Sequence, residues 1–127
     1  MAVNGFSKIN RLTSKTQIQR IFTEGNRLYE APFSVLFLNN INTDDSNLQI
    51  AISVPKKKIT SAVKRNLIKR RIREAFRIQS ENLISQLEKH DRKIILMIIY
   101  SDTKPQNFSL IKSKISLTLQ RLSNQIR

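Results

Sequence analysis

Cysteine and tryptophan are absent from this sequence of 127 residues, and histidine occurs once. Without cysteine the chain can form neither a disulfide nor a thiolate metal site, so a reducing compartment is expected, with the cytoplasm as the simplest location. The two glycines, Gly5 and Gly25, are too few for a glycine-rich loop that wraps a phosphate group. These absences exclude disulfide-stapled domains, cysteine-ligated metal proteins and nucleotide-binding proteins of the phosphate-loop class.

Long apolar segments are also absent. The longest, Ile94–Tyr100, has the length of a strand and falls far short of the roughly 18 residues that a membrane helix needs. Residues 1–10 lack the apolar centre of a secretory signal. A chain of 127 residues, 39% of them hydrophobic, fits a single domain, 1–127, with a modest core.

Acidic residues are scarce, since the chain has 9 of them against 23 lysines and arginines, a net charge of +14. Residues 56–77 hold ten basic residues and one acid, Glu74, so this segment alone carries +9. A solvated helix laced with salt bridges is the ordinary explanation of a charge run, but one acid cannot pair with ten cations. Because such a concentration of like charge opposes compaction, it indicates a polyanionic partner. The sequence thus predicts that residues 56–77 bind nucleic acid.

Three amphipathic helices are predicted from the spacing of apolar residues. Ser14 and Gln17 form a capping box at the start of the first helix, and Gly25 is expected to end it in a left-handed conformation. The second helix, which carries the cations, is expected to be capped near Thr60 or Ser61. The predicted helices span residues 15–24, about 60–87, and 107–125.

Strands are predicted between the helices by β-branched and aromatic content. Residues 33–38 and 48–54 are expected to form a hairpin, joined by a polar turn at residues 39–47. The continuous apolar run Ile94–Tyr100 is typical of a central strand that is covered on both faces. The order helix, strands, helix, strand, helix indicates one α+β domain.

The basic helix has two dissimilar faces when its residues are placed at helical spacing. One face is apolar and is expected to pack on the sheet, whereas the opposite face carries arginines and an asparagine. An arginine fork binds phosphate oxygens in pairs, and asparagine is suited to a base edge or a ribose 2′-hydroxyl. Arg65 lies over the apolar side, but in the first turn, from which it can reach outward. The predicted core face comprises Ile68, Ile72, Ala75, Phe76, Gln79 and Leu83; Asn66, Arg70, Arg73 and Arg77 lie opposite, and Lys64, Lys69 and Arg71 flank the core face.

Catalytic residues are not apparent. The single histidine, His90, lies in a charged stretch that is expected at the surface. Asp44 and Asp45 lie in the predicted turn, where their turn-forming chemistry explains them. A nucleophilic or metal site needs clustered histidines, cysteines or carboxylates, so the protein alone is predicted to be non-catalytic and to hold no metal.

Residues 62–77, AVKRNLIKRRIREAFR, resemble the signature helix of the bacterial ribonuclease P protein subunit. That signature has an Arg-Asn-Arg core, an apolar residue, Lys-Arg, and a further arginine one turn on. The matching positions are Arg65, Asn66, Lys69, Arg70 and Arg73, and the similarity extends to residues 11–12, 21–25 and 53–57 and to the order of elements. Leu67 replaces the second signature arginine, and residues 58–61 lack the family's usual glycine.

The resemblance implies a single-domain α–β sandwich (ribosomal protein S5 domain 2-like) with a mixed sheet of about four strands, three helices and a left-handed crossover around the basic helix. It also implies a subunit of ribonuclease P, in which a catalytic RNA with bound Mg²⁺ cleaves precursor tRNA to release its 5′ leader. No cofactor is expected on the protein. The implied partners are the catalytic RNA and precursor tRNA, without a membrane. The resemblance assigns RNA contacts to Arg65, Asn66, Lys69, Arg70 and Arg73 alone, and the charge density of residues 56–77 adds Lys56, Lys57 and Lys64 as expected contacts. A leader cleft is expected from Phe22, Ile18 and Leu36, with Phe22 alternatively in the core.

Three other functions share parts of this pattern. A ribosomal or RNA-chaperone protein would have the same size and charge, and the signature spacing favours ribonuclease P over it. A DNA-binding protein that reads the major groove is disfavoured, because no helix-turn-helix spacing precedes residues 62–77. A membrane-surface protein is disfavoured because the apolar stripe of the helix ends in core residues and lacks tryptophan.

Overall fold

The structure is a computed structural model that describes residues 9–12, 14–39 and 47–126. Four of its strands and one helix lie in the first half of the chain, and three helices and one strand lie in the second half. The α+β class is confirmed. The elements are β1 Ile9–Arg11, α1 Lys15–Glu24, β2 Asn26–Glu30, β3 Phe33–Asn39, β4 Leu48–Ser53, α2 Ala62–Gln79, α3 Glu81–Lys89, β5 Ile94–Tyr100 and α4 Phe108–Ile126.

The strands form one mixed sheet in the order β1-β4-β5-β3-β2. The apolar strand β5 is central, as predicted, and pairs parallel with β4 and antiparallel with β3. Because β4 and β5 are parallel neighbours, the chain between them must cross over through α2 and α3. The left-handedness of this crossover stays a prediction. The extent of the domain over residues 1–127 also stays a prediction.

Helices cover both faces of the sheet, and each face has its own core. The larger core joins α2, α3 and α4 to the sheet and is centred on β3 and β5. The smaller core lies under α1, where Ile21 packs with Leu36, Ile95 and Met97. Strand β5 contributes to both cores, which explains why its apolar residues run without alternation. This layering confirms the predicted α–β sandwich.

The predicted hairpin of residues 33–38 and 48–54 is wrong. The two strands exist, but β5 lies between β3 and β4 and pairs with both. A strand that is apolar on both faces is most stable at the sheet centre. Strand β5 therefore lies between β3 and β4, and these two strands do not pair with each other as their order in the sequence suggests. The partner of β3 on its other side is β2, a strand that the sequence analysis missed. Residues 40–46, including Asp44 and Asp45, lie outside the described residues.

The basic helix ends at Gln79, well before the predicted end near residue 87, so the described residues form four helices where three were expected. Ser80 is both the C-cap of α2 and the N-cap of α3. Its backbone has φ −85° and ψ −4°, and the residue is fully buried. The change of direction turns Leu83, Ile84 and Leu87 toward the larger core. The break contains neither glycine nor proline. Burial of the apolar face of α3 stabilises the change of direction instead.

Gly25 does not adopt the predicted left-handed conformation. Its backbone is extended, with φ −71° and ψ 155°, so the chain passes directly from α1 into β2. A Cβ at this position would collide with the carbonyl oxygen of Ile21 and lie 3.1 Å from that of Phe37. Glycine is therefore required for close approach of helix and strand, and its left-handed freedom is unused.

Candidate nucleic-acid interface

The position of α2 follows from its first turn and from its apolar face. The Ser61 hydroxyl caps the helix by accepting a hydrogen bond from the Lys64 amide, at 3.3 Å, as predicted. On the sheet side, Ile68, Ile72 and Phe76 have no solvent exposure. Their burial fixes the rotation of the helix and confirms the predicted core face from Ile68 to Phe76, whereas Gln79 is half-buried and Leu83 belongs to α3. The opposite face, with Arg70 and Arg73, is consequently turned to solvent.

Most cations of residues 56–77 form no ion pair or hydrogen bond through their side chains within the part of the chain that the structure describes. Of the ten, Arg65, Arg71 and Arg77 have protein partners and seven have none. Asn66 is exposed beside them. Unpaired guanidinium and ammonium groups are available to bind external phosphates. The seven are Lys56, Lys57, Lys58, Lys64, Lys69, Arg70 and Arg73, all exposed except the half-buried Lys69; together with Asn66 they are called the cationic face below.

Arg77 pairs with Glu74, the only acid of the segment, one turn earlier on α2. The hydrogen bond from Arg77 holds the pKa of the Glu74 carboxyl below its ordinary value, and the same bond raises the pKa of Arg77. Both groups are solvent-exposed, so the pair has little effect on stability. It does make Arg77 less available to RNA than Arg70 or Arg73.

The Arg65 side chain was expected to reach outward, but in the structure it turns back toward the loop before α2. Its Nη1 donates hydrogen bonds to the carbonyl oxygens of Ile59 and Thr60, both at 2.9 Å. Ile59 is buried, and its amide donates to the Pro55 carbonyl at 3.1 Å. These contacts close the loop that lacks the family's glycine. Arg65 therefore stabilises the entry to α2 in this structure, and its RNA contact stays a prediction.

Arg71 joins α2 to the loop between β5 and α4, a link that sequence reasoning missed. Its Nη1 donates to the Gln106 carbonyl oxygen at 2.6 Å. The loop is further fixed by Tyr100, whose hydroxyl donates to the Lys104 carbonyl at 2.6 Å. Burial raises the pKa of Tyr100, and the Gln106 side-chain hydrogen bond lowers the pKa of Asp102. No sequence signal could reveal this link, since the partners are 35 residues apart.

The three residues predicted for the leader cleft separate into two environments. Leu36 is 2% exposed in the smaller core, and Ile18 packs against that core. Phe22, on α1, is 55% exposed, so its alternative placement in the core is wrong. An aromatic ring left in solvent can stack on a base.

Arg27 and Tyr29 are exposed residues on the edge strand β2 that the sequence analysis left out. The Arg27 Cζ lies 5.8 Å from the centroid of the Tyr29 ring, and Nη1 donates to the Tyr29 hydroxyl at 3.1 Å. The Tyr29 side chain is 64% exposed. Leu28, between them, faces the larger core, which places both on the α1 side of the sheet. Their relation to the sheet could not be predicted while β2 itself was missed.

Within the described ranges, candidate catalytic groups are dispersed. Among the described residues, no three His, Asp or Glu side chains come together as metal ligands would. His90 is exposed at the end of α3. Each helix in the described ranges is too short or too polar to span a bilayer.

A model of the Ribonuclease P family matches residues 6–123. The chain belongs to the ribonuclease P protein family. It is similar to the ribonuclease P protein component of Porphyromonas gingivalis strain ATCC 33277, at 30% identity over 98% of this chain and 91% of that protein. The Staphylococcus aureus RNase P protein structure covers 88% of this chain and 94% of its own, with 26% identity and a TM-score of 0.68. The RNase P protein from Thermotoga maritima, at 24% identity and a TM-score of 0.65, supports the fold.

Family membership confirms the resemblance drawn from residues 62–77. The chain has the function of the protein subunit of ribonuclease P, a tRNA-processing endoribonuclease, and associates with ribonuclease P RNA. The ribosomal, RNA-chaperone, DNA-binding and membrane-surface alternatives are accordingly set aside. The individual RNA contacts stay predictions, as does the cytoplasmic location.

Proposed function

We propose that the chain docks on the catalytic RNA of ribonuclease P through the part of the cationic face that lies on α2 and holds the 5′ leader of precursor tRNA on the α1 side of the sheet. The observation that carries this proposal is the set of seven cations without a protein partner among the described residues. A folded domain tolerates such unpaired charge when a polyanion neutralises it. The helix α2 presents Lys64, Lys69, Arg70 and Arg73 rigidly, because its other side is buried.

Phosphate recognition would fall mainly to the arginines. Arg70 and Arg73 are both exposed and lie about one helical turn apart on α2. Each guanidinium can bind two phosphate oxygens in a charge-assisted fork, whereas Lys64 and Lys69 supply point charges. Asn66, on the same face, has both a donor and an acceptor and can contact a ribose hydroxyl or a base edge. The face thus suits a folded RNA better than a uniform polyanion.

The chemical step is assigned to the partner RNA, which would hold the Mg²⁺ ions. The residues of this chain contribute binding and orientation. By contacting both the catalytic RNA and the leader, the protein would raise the affinity for precursor tRNA over mature tRNA. Differential binding of this kind favours the substrate over the product without a catalytic group on the protein.

A reconstitution assay tests this division of roles. The purified protein alone should cleave no precursor tRNA, whereas its addition to the cognate RNA at low millimolar Mg²⁺ should raise cleavage above that of RNA alone. The physical reason is that the cationic face offsets phosphate repulsion, which Mg²⁺ at low concentration screens poorly. Cleavage is measured as release of the 5′ leader on a gel.

The opposite outcome is equally specific. Cleavage by highly purified protein in the absence of RNA, if abolished by His90→Ala or Asp44→Ala, would place the catalytic groups on the protein. An unchanged rate of the RNA after addition of folded protein would remove the proposed role in substrate binding. Circular dichroism of the same samples confirms that each variant is folded.

Phe22→Ala should weaken binding of precursor tRNA more than binding of mature tRNA. The Phe22 ring is exposed on α1, so its loss opens no cavity and removes only a stacking surface, worth about 1–3 kcal/mol per base. Affinities are measured by titrating the holoenzyme against both RNAs, with Phe22→Tyr as the variant that retains the ring. Equal losses for both RNAs, or a lower melting temperature, would assign Phe22 a structural role.

A further inference from the structure

One row of side chains crosses four strands on the α1 side of the sheet. Ser53 of β4 is opposite Ile99 of β5, Ile99 is opposite Ser34 of β3, and Ser34 is opposite Tyr29 of β2. Strand alternation places them on the same face as Leu36, which α1 covers. The row spans three inter-strand spacings, about 14 Å. It is called the cross-sheet row below.

The cross-sheet row lies beside the part of the face that α1 covers. Leu36, in the neighbouring row, is 2% exposed beneath α1. Along the cross-sheet row, Ser53 and Ile99 are half-buried, and exposure reaches 64% at Tyr29. The Oγ of Ser34 is buried and has no hydrogen-bond partner within the described residues. The row is therefore partly accessible at Ser53 and Ile99, closed at Ser34 and open at Tyr29.

Tyr29 is held in place at the edge of the sheet from two sides. Its ring is contacted by the Arg27 guanidinium, which also donates to its hydroxyl at 3.1 Å. Its carbonyl oxygen accepts a hydrogen bond from Arg121 of α4 at 2.6 Å, and Arg121 also pairs with Glu30 at 3.4 Å. These bonds tie the edge strand to α4. An exposed ring that is already ordered loses little entropy when it stacks on a ligand.

Cations lie beyond the opposite end of the cross-sheet row. Ser53 ends β4, and Lys56, Lys57 and Lys58 follow in the turn before α2, all exposed. Arg27 supplies a further guanidinium at the β2 end. Positive charge at both ends and an exposed aromatic ring at one of them are the combination that binds single-stranded RNA.

We infer that Tyr29, held by Arg27, stacks on a base of a single-stranded RNA segment that crosses the sheet along the cross-sheet row from the lysines before α2. The inference rests on the proposed function, in which that segment is the 5′ leader. The phosphates contact the cations at the two ends, and the base next to β2 stacks on the phenol ring. Since every base has a flat face, the contact tolerates many leader sequences.

The test uses holoenzyme reconstituted with wild-type protein or Tyr29→Ala, and three RNAs. The RNAs are precursor tRNA, mature tRNA and a precursor whose leader is abasic, which keeps its phosphates. Tyr29→Ala should bind the normal precursor about 5- to 150-fold more weakly, the range that stacking of one base gives. It should match wild type on the other two RNAs. Tyr29→Phe keeps the ring and should retain most of the affinity.

Two outcomes would overturn the inference. Unchanged affinity of Tyr29→Ala for the normal precursor would make Tyr29 an ordinary surface residue, and an equal loss with the abasic leader would mean that no base is stacked. Leu117→Ala, which truncates an exposed residue on α4, is the matched control and should change nothing. A wild-type protein that does not favour precursor over mature tRNA would instead refute the proposed function.

Discussion

Ile72→Ala should lower the free energy of unfolding by about 2–5 kcal/mol and leave the chemistry of the cationic face unchanged. Ile72 has no solvent exposure and lies in the larger core between α2 and the sheet. Removing its side-chain carbons opens a cavity, which rigid neighbouring strands can fill only partly. The measurement is urea denaturation followed by circular dichroism. It is best made with bound anion present, so that the native state is fully populated at the start.

Arg70→Ala and Arg73→Ala are the matched controls on the opposite side of the same helix. Both side chains are exposed and form no hydrogen bond or ion pair with any described residue, so the unfolding free energy should be nearly unchanged. Binding to the catalytic RNA should weaken by about 1–3 kcal/mol for each variant. Its dependence on salt should also become shallower, by about one unit of log–log slope for each phosphate contact removed.

The stabilities of the variants on the two faces of α2 together test which face packs on the sheet and which binds RNA. If the arginine variants unfold while Ile72→Ala remains stable, the rotation of α2 is misassigned and the cationic face is not the RNA surface. Arg65→Ala does not belong among the controls. Its guanidinium holds the carbonyls of Ile59 and Thr60, so this variant should lose stability together with RNA affinity.

The faces of α2 could be predicted from the sequence because they depend on local periodicity. Apolar residues from Ile68 to Phe76 recur at helical spacing, and the cations lie between them, so one helix geometry determines both. The same local logic located α1, β5 and α4. The signature residues could also be recognised from the sequence, because all of them lie within one helix and their spacing is local.

The features that were missed depend on partners far away in the chain. Strand β2 has one apolar residue facing the larger core, Leu28, which is too little for a strand signal. The break at Ser80 carries no glycine or proline, because packing of α3 on the core produces it. The same is true of Arg71, since its acceptor belongs to a loop that the helix meets only after folding. The cross-sheet row, for its part, requires the register of four strands.

At low ionic strength the protein should be loosely folded, and a bound anion should fold it. Seven cations of residues 56–77 have no partner in the described chain, and compaction brings them closer together than in a loose chain. Each like-charged pair at helical spacing costs about 0.2–0.5 kcal/mol, and several of them consume a large part of a small domain's stability. In dilute buffer, at about 0.01 M salt, the screening length is about 30 Å, so the repulsion acts across the whole face.

Adding a short oligonucleotide at micromolar concentration in dilute buffer should therefore increase the helical signal and raise the melting temperature. An anion that binds only the folded face stabilises it by about 2.7 kcal/mol at a hundredfold excess over its dissociation constant. Sulfate also acts by exclusion from the surface, which makes the oligonucleotide the cleaner probe. A Lys69→Gln, Arg70→Gln, Arg73→Gln variant should be more helical in dilute buffer and gain less from the oligonucleotide. A wild-type protein that is fully helical from the start, with a melting temperature unmoved by oligonucleotide, would show that the cationic face is neither strained nor the binding site.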